Sequence, residues 1–204
     1  MDYVIGIDEV GRGALAGPVA VGAVLVPAHL RWQDFEKLKD SKKLSPQKRE
    51  LWLARMYDEF KFTVAVSFSG ARSVDTLGIV GAVNNAATRA VHRVLRKLPE
   101  GGTCQLMCDA GIRVRTDLTP RLSEVHQSQV VRGDENVPAI AFASIAAKVK
   151  RDDFMCRLSE KHPIYGFAQH KGYGTVEHQK IIRKNGIVES VHRVSFTRGI
   201  LTHS

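Results

Sequence analysis

The chain has 204 residues, 44% of them hydrophobic and 25% charged, with 30 Lys+Arg against 21 Asp+Glu for a net charge of +9. A chain of this length buries roughly 70% of the surface it exposes when unfolded, so its core needs neither disulfides nor a structural metal, and the composition excludes a disordered or collagen-like protein. The excess of base is spread through both halves rather than gathered in a tail, which suits a folded body lying along an acidic partner such as a phosphate backbone.

Tyr3 to Ile7 is a short apolar run and Ala16 to Val26 a longer, Val-rich one, and both read as buried strands. Ser45-Pro46 starts a helix to about Glu59, with Ser as N-cap and Pro in the first turn. Lys61 to Phe68 alternates as a half-buried strand, and Thr76 to Leu98 carries apolar residues at helical spacing until Pro99 and Gly101-Gly102. Gln105 to Asp109 and Glu124 to Arg132 read as two further strands. Ala139 to about Lys161 is a long helix, small and apolar at first and charged later, and Thr175 caps another that ends at Asn185-Gly186. The pattern is α/β for residues 1–161, with a helical C-terminal extension over 162–204.

Cys104, Cys108 and Cys156 form no CxxC pair, which excludes a zinc ribbon and points to a reducing compartment, with Cys104 and Cys108 inert along a buried strand. The start of the chain shows no targeting signature and no stretch reaches 18 apolar residues, so a cytoplasmic, membrane-free protein is expected. The eight histidines show no metal-binding spacing. Trp32 and Trp52 read as packing residues.

Asp8 and Glu9 end the first strand and run into Gly11-Arg12-Gly13. A nucleotide phosphate loop needs Lys and Ser or Thr after its last glycine, which this turn lacks, and two carboxylates in front of it repel a pyrophosphate. A divalent metal removes that repulsion: hard oxygen ligands select Mg²⁺ or Mn²⁺, and two such ions about 4 Å apart can activate water on one side of a phosphodiester and stabilise the leaving oxygen on the other. Such a centre wants further carboxylates at neighbouring strand ends. Asp109, before Ala110-Gly111, and Asp134, after Arg132-Gly133, stand there. An Asp beside glycine is often only a turn former; several at the ends of apolar runs suggest a shared site. Successive strand residues face opposite ways, so Asp8 and Glu9 are expected to meet only where the chain leaves regular strand geometry. A passive nucleic-acid binder would instead gain from lysine at these positions.

Six ordered blocks carry a resemblance: Gly6-Ile7-Asp8-Glu9-Val10-Gly11-Arg12-Gly13 with Leu15 to Val19, Asp40-Ser41-Lys42-Lys43-Leu44, Arg132-Gly133-Asp134, Ala143 to Val149 with Arg151-Asp152, Tyr165 to Thr175, and His192-Arg193 with Ser195-Phe196. Together they resemble ribonuclease HII, the type 2 ribonuclease H of bacteria, across almost the whole chain. Ala14, Phe142 and Ala110 depart from that pattern without removing a ligand. The resemblance implies a ribonuclease H-like mixed central sheet flanked by helices. It also implies an endonuclease that cuts the RNA strand of RNA·DNA hybrids, and ribonucleotides embedded in duplex DNA, leaving 3′-hydroxyl and 5′-phosphate ends.

Carried over by position, the metal ligands fall on Asp8, Glu9, Asp109 and Asp134, with two Mg²⁺ or Mn²⁺ ions. Gly11, Arg12 and Gly13 are expected to sense the ribose 2′-hydroxyl by close backbone approach, which a missing Cβ allows. Tyr173 is expected to pack on the sugar at the RNA–DNA junction, and Lys42 and Lys43 to contact phosphate. Lys148, among small residues, needs a partner: a phosphate, or an ion pair with one of the carboxylates, a pairing that Asp152 and Asp153, four and five residues on, could also supply. A monomer is expected.

Overall fold

The computed structural model describes residues 2–31, 33, 35, 38, 44–98, 103–116 and 124–201. Lys42, Lys43 and Trp32 lie outside them. Five strands, β1 (Tyr3–Val10), β2 (Val19–Pro27), β3 (Thr63–Ser69), β4 (Thr103–Asp109) and β5 (Glu124–Val130), form one sheet in the order β3-β2-β1-β4-β5. β1 pairs antiparallel with β2 and parallel with β4, and β4 pairs parallel with β5, so the sheet is mixed. The carboxyl ends of β1 and β4, both central and parallel, therefore open at one edge of the sheet, where α/β proteins place their sites.

Helices cover both faces: α1 (Pro46–Asp58), α2 (Ala71–Leu95), α3 (Gly133–Asn136), α4 (Pro138–Lys161), α5 (Phe167–His170), α6 (Val176–Asn185) and α7 (Val194–Leu201). α2 buries Ala82, Val83, Ala86, Ala90 and Val94 against Ile5, Ile7 and Leu106 on one face. On the other, α4 and α1 close over β2 with an aromatic cluster of Phe35, Trp52, Phe60, Phe62 and Phe142. Each fully buried side chain of Ile or Phe size contributes about 1.5–3 kcal/mol. The large Phe142 is accommodated because four rings surround it, the nearest at 5.1 Å.

α4 lies unusually close to the sheet. A Cβ on Gly6 would overlap the backbone of Ala139, and one on Gly22 the carbonyl of Ala143. The run of small residues at the start of α4 and the two glycines beneath it thus let backbone meet backbone, which suspends Ser144 and Lys148 directly over the end of β1.

Some boundaries differ from those read in the sequence. β2 begins at Val19 rather than Ala16, because Gly17 has φ +78° and Pro18 offers no amide hydrogen to the ladder. Ala14, Ala16 and Gly17 instead bond to the C-terminal segment, through bridges to Tyr173 and His192 and the Gly17 amide on the Val191 carbonyl. α2 starts five residues early and bends at Gly78 (φ 69°, ψ 164°). β5 stops at Val130, since Arg132 is left-handed with φ 53°. Asp8 and Glu9 do not leave the strand as expected: both stay paired with β2, opposite Gly22 and Val21. What changes is the other side, where pairing with β4 ends at Ile7. Asp75 on α2 accepts from the Val194 and Ser195 amides, capping α7 from 119 and 120 residues away. Among the described residues no helix is long and apolar enough to cross a membrane.

Candidate active site

The open end of β1 and β4 forms a cavity of about 270 Å³, lined by Asp8, Glu9, Asp109 and Asp134 on the sheet side and by Arg49, Ser144 and Lys148 on the helix side. One oxygen each from Asp8, Glu9 and Asp109 lies within 4.8 Å of the others. Asp8 folds back along its strand and accepts from the Glu9 amide at 2.8 Å, which draws the two side chains to one side despite their alternation. Asp109 accepts from the Gly133 amide at 3.0 Å, fixing the carboxylate to the turn that leads into α3. Asp134, 2% exposed, sits in the first turn of α3 and lines the same cavity, outside the set of three.

Asp8 and Glu9 are strained as anions. Burial pushes the Asp8 carboxyl up to about 8, with the Ser144 hydroxyl bond working against it and the charges of Glu9 and Asp109 adding to it. Burial raises Glu9 as well; Arg12, whose Nη1 donates to Oε1 at 3.0 Å, opposes that shift. The other oxygen of Glu9, Oε2, is buried with no hydrogen-bond partner. A buried carboxylate oxygen left bare among like charges, in an all-oxygen donor set, fits a hard divalent cation.

The loop after β1 is held from behind. Gly11 has φ +89°, and a Cβ there would run into the Arg151 guanidinium. Gly13 is exposed and faces open space. Arg12 reaches from Glu9 across the turn after Asp109, where a side chain on Gly111 would come within 3.5 Å of it. Tyr173 is half-buried beside this loop, paired with Ala14, with the Arg151 guanidinium 5.4 Å from its ring centre. Lys148 forms its ion pair with Asp152 at 2.8 Å.

Sequence reasoning missed four residues here. Ser144 looks like filler in an apolar helix, and Arg49 like surface charge. Arg151 and Arg193 are fully buried, and their partners are carbonyls, which no residue pattern reveals. Three histidines spaced without pattern also converge: His170 stacks on His178 at 4.2 Å, and His178 meets His192 with Nε2 atoms 3.3 Å apart. Their hydrogen bonds fix the neutral tautomers. His192 Nδ1 accepts from the Val188 amide, so its Nε2 donates to His178, whose Nδ1 then donates to the Tyr173 carbonyl at 2.9 Å. Burial pushes His192 down to about 4 and lowers His178 as well. Cys104 and Cys108 are buried on β4, with thiols pushed up by burial to about 11 and about 12, and are unreactive.

The family model of ribonuclease HII matches residues 5–199. Ribonuclease HII of Prochlorococcus marinus is 42% identical over 192 residues, 94% of each chain. That of Fusobacterium nucleatum is 38% identical over 200 residues, 97% of this chain and 87% of the other. Among solved structures, the complex of PCNA with ribonuclease HII from Archaeoglobus fulgidus aligns with a TM-score of 0.66 at 26% identity, over 95% of this chain and 94% of that one.

Proposed function

The chain belongs to the ribonuclease HII family and is a metal-dependent endoribonuclease, and from that premise we propose that it cuts the RNA strand of RNA·DNA hybrids and single ribonucleotides in duplex DNA, by a two-metal mechanism leaving 3′-hydroxyl and 5′-phosphate ends. The observation that carries this reading is the gathering of Asp8, Glu9 and Asp109 oxygens within 4.8 Å at a buried strand end, where burial disfavours the Asp8 and Glu9 anions unless a cation joins them. Asp8, Glu9, Asp109 and Asp134 would hold Mg²⁺ or Mn²⁺. Bound there, the ions supply Lewis acidity toward the phosphodiester and lower the pKa of the attacking water.

The chain's own groups do the rest. Asp8 and Asp109 are kept in place by the Glu9 and Gly133 amides, so the donor set is preorganised. Gly11, Arg12 and Gly13 present backbone to the ribose, the exposed Gly13 leaving room for a sugar to come close. Tyr173 offers a ring for that sugar to pack on. Arg49 and Lys148 face the carboxylates across the cavity, placing positive charge where the phosphate backbone would pass. Lys42 and Lys43, outside the described residues, are read as further phosphate contacts from the sequence alone. Residues 162–204 serve as the substrate-side extension of a catalytic domain formed by 1–161, in a monomeric, cytoplasmic enzyme.

Asp109→Asn tests the assignment, because Asn keeps the size of the side chain and an acceptor for the Gly133 amide while removing the charge. On duplexes with one, four or many ribonucleotides, with Mg²⁺ or Mn²⁺, turnover falls at least about 1,000-fold while binding of the hybrid at low salt stays within about threefold. Full metal-dependent cutting by that variant overturns it.

A further inference from the structure

Arg193 is fully buried, and among the described residues it forms no ion pair. Its guanidinium is spent on one loop: Nη2 donates to the Gly11 carbonyl at 2.8 Å, Nη1 to that of Arg12 at 2.8 Å, and Nε and Nη2 to that of Gly17 at 3.1 and 3.0 Å. The planar guanidinium makes these four bonds from three separate nitrogens in fixed directions; a lysine ammonium, with three donors on one nitrogen, cannot reproduce them. The Phe196 ring lies against it, 5.4 Å from centroid to guanidinium carbon.

The consequence follows from peptide geometry. In a trans peptide the carbonyl of one residue and the amide hydrogen of the next point in opposite directions, and the described residues include no cis bond. With the Gly11 and Arg12 carbonyls turned inward onto Arg193, the amides of Arg12 and Gly13 are turned outward. Among the described residues neither amide donates to any backbone group. Among the described residues, both are thus open donors at the mouth of the site.

We propose that Arg193 is a specificity-determining positioning residue: by holding the Gly11 and Arg12 carbonyls it aims the Arg12 and Gly13 amides at the 2′-hydroxyl of the ribose at the cleavage site, and so sets the preference for ribose. This rests on the reading of the 11–13 loop as the ribose sensor. Arg151 is the internal comparison. It is as deeply buried and packs behind Gly11, but among the described residues it bonds only the carbonyls of Pro18, Lys171 and Ala16 and none within residues 11–13.

The test measures kcat/KM on two duplexes that differ only in carrying 2′-hydroxyl or 2′-fluoro on that sugar, alongside Mn²⁺ binding and thermal unfolding. Arg193→Lys compresses the hydroxyl-to-fluoro ratio about tenfold, with the loss falling on the hydroxyl substrate and Mn²⁺ affinity within about twofold of the unaltered enzyme. Arg151→Lys slows both substrates by one common factor. A merely structural Arg193 would do the same, so an unchanged ratio in Arg193→Lys overturns the proposal, as does equal compression in Arg151→Lys. Should Arg193→Lys fail to fold, Phe196→Leu, which removes the ring against the guanidinium, compresses the ratio about threefold, and an unchanged ratio there overturns the proposal too. Equal cutting of the two duplexes by the unaltered enzyme removes the ribose-sensing reading itself, and the proposal with it.

Discussion

Arg12 donates to Glu9 across 3.0 Å, so a residue of the loop proposed to read ribose is tied by its side chain to a carboxylate proposed to hold metal. The cation lowers the field that a divalent ion would meet. Arg12→Ala therefore tightens Mn²⁺ at pH 8 by about two- to fivefold, of the order expected for removing one partly exposed like charge, while cleavage slows about tenfold or more as the loop loses its anchor. Calorimetric titration with Mn²⁺ and turnover on the same preparation separate the two effects. Slower cleavage with weaker metal binding would show that Arg12 acts chiefly by keeping Glu9 ionised.

Asp8 gives a stability prediction with a definite sign. Its folded-state pKa of about 8 lies above the ordinary value of 3.8, so the metal-free protein loses stability from this group as pH rises from about 4 through about 8. Asp8→Asn removes the titration. Without metal at pH 8 the variant should be more stable by about 1–2 kcal/mol, raising Tm by roughly 3–6 °C, and inactive. Mg²⁺ narrows the gap by stabilising only the unaltered chain. Thermal melts with chelator and with Mg²⁺ read both.

Gly11 and Gly13 separate fold from function within one motif. Gly11→Ala must place a Cβ at φ +89° and against the Arg151 guanidinium, at a cost of about 2 kcal/mol or more. Gly13→Ala meets open space and should change stability by no more than about 0.5 kcal/mol. Its methyl group nevertheless stands where a sugar must approach, and cleavage should drop about tenfold or more. Denaturant unfolding and kinetics on the pair check the contrast.

The histidine cluster predicts acid sensitivity. His192 is held neutral, with a folded-state pKa of about 4 against 6.5 unfolded, and His178 is shifted the same way. The unfolded chain therefore takes up protons first as pH falls below 6.5, and stability present above that pH is lost on the way to about 4. For His192 alone this amounts to about 3 kcal/mol. His192→Asn should flatten the slope of unfolding free energy against pH in that window, whatever it does to stability at pH 7.5. An unchanged slope would assign the acid loss to other groups.

The strands along the chain and the acids at their ends could be picked out in the sequence because each follows from local chemistry: apolar runs make the strands, and acids at their ends beside glycine stand out against a basic composition, whereas the order of the strands in the sheet could not. The role of Arg193 could not be read, since its partners are the carbonyls of Gly11, Arg12 and Gly17, which every residue type carries alike. His178 and His192 were hidden for a related reason, as 14 residues of turn and helix separate two rings that only tertiary packing joins. Asp8 and Glu9 show the opposite error. Strand alternation argued that they should diverge, and the reach of their side chains, with the Glu9 amide drawing Asp8 along the strand, overcomes it.

The bond from Arg193 to Gly11 spans 182 residues of chain. During synthesis, the sheet and its acidic pocket can assemble once α4 has emerged, but until residue 193 has been made the Gly11 carbonyl has, among the described residues, only the Ala14 amide at 3.3 Å, and the Arg12 carbonyl lacks its Arg193 partner. On the reading proposed above, a nascent or truncated chain would thus carry the proposed metal pocket with the proposed ribose reader unformed, so that collecting metal would precede choosing where to cut.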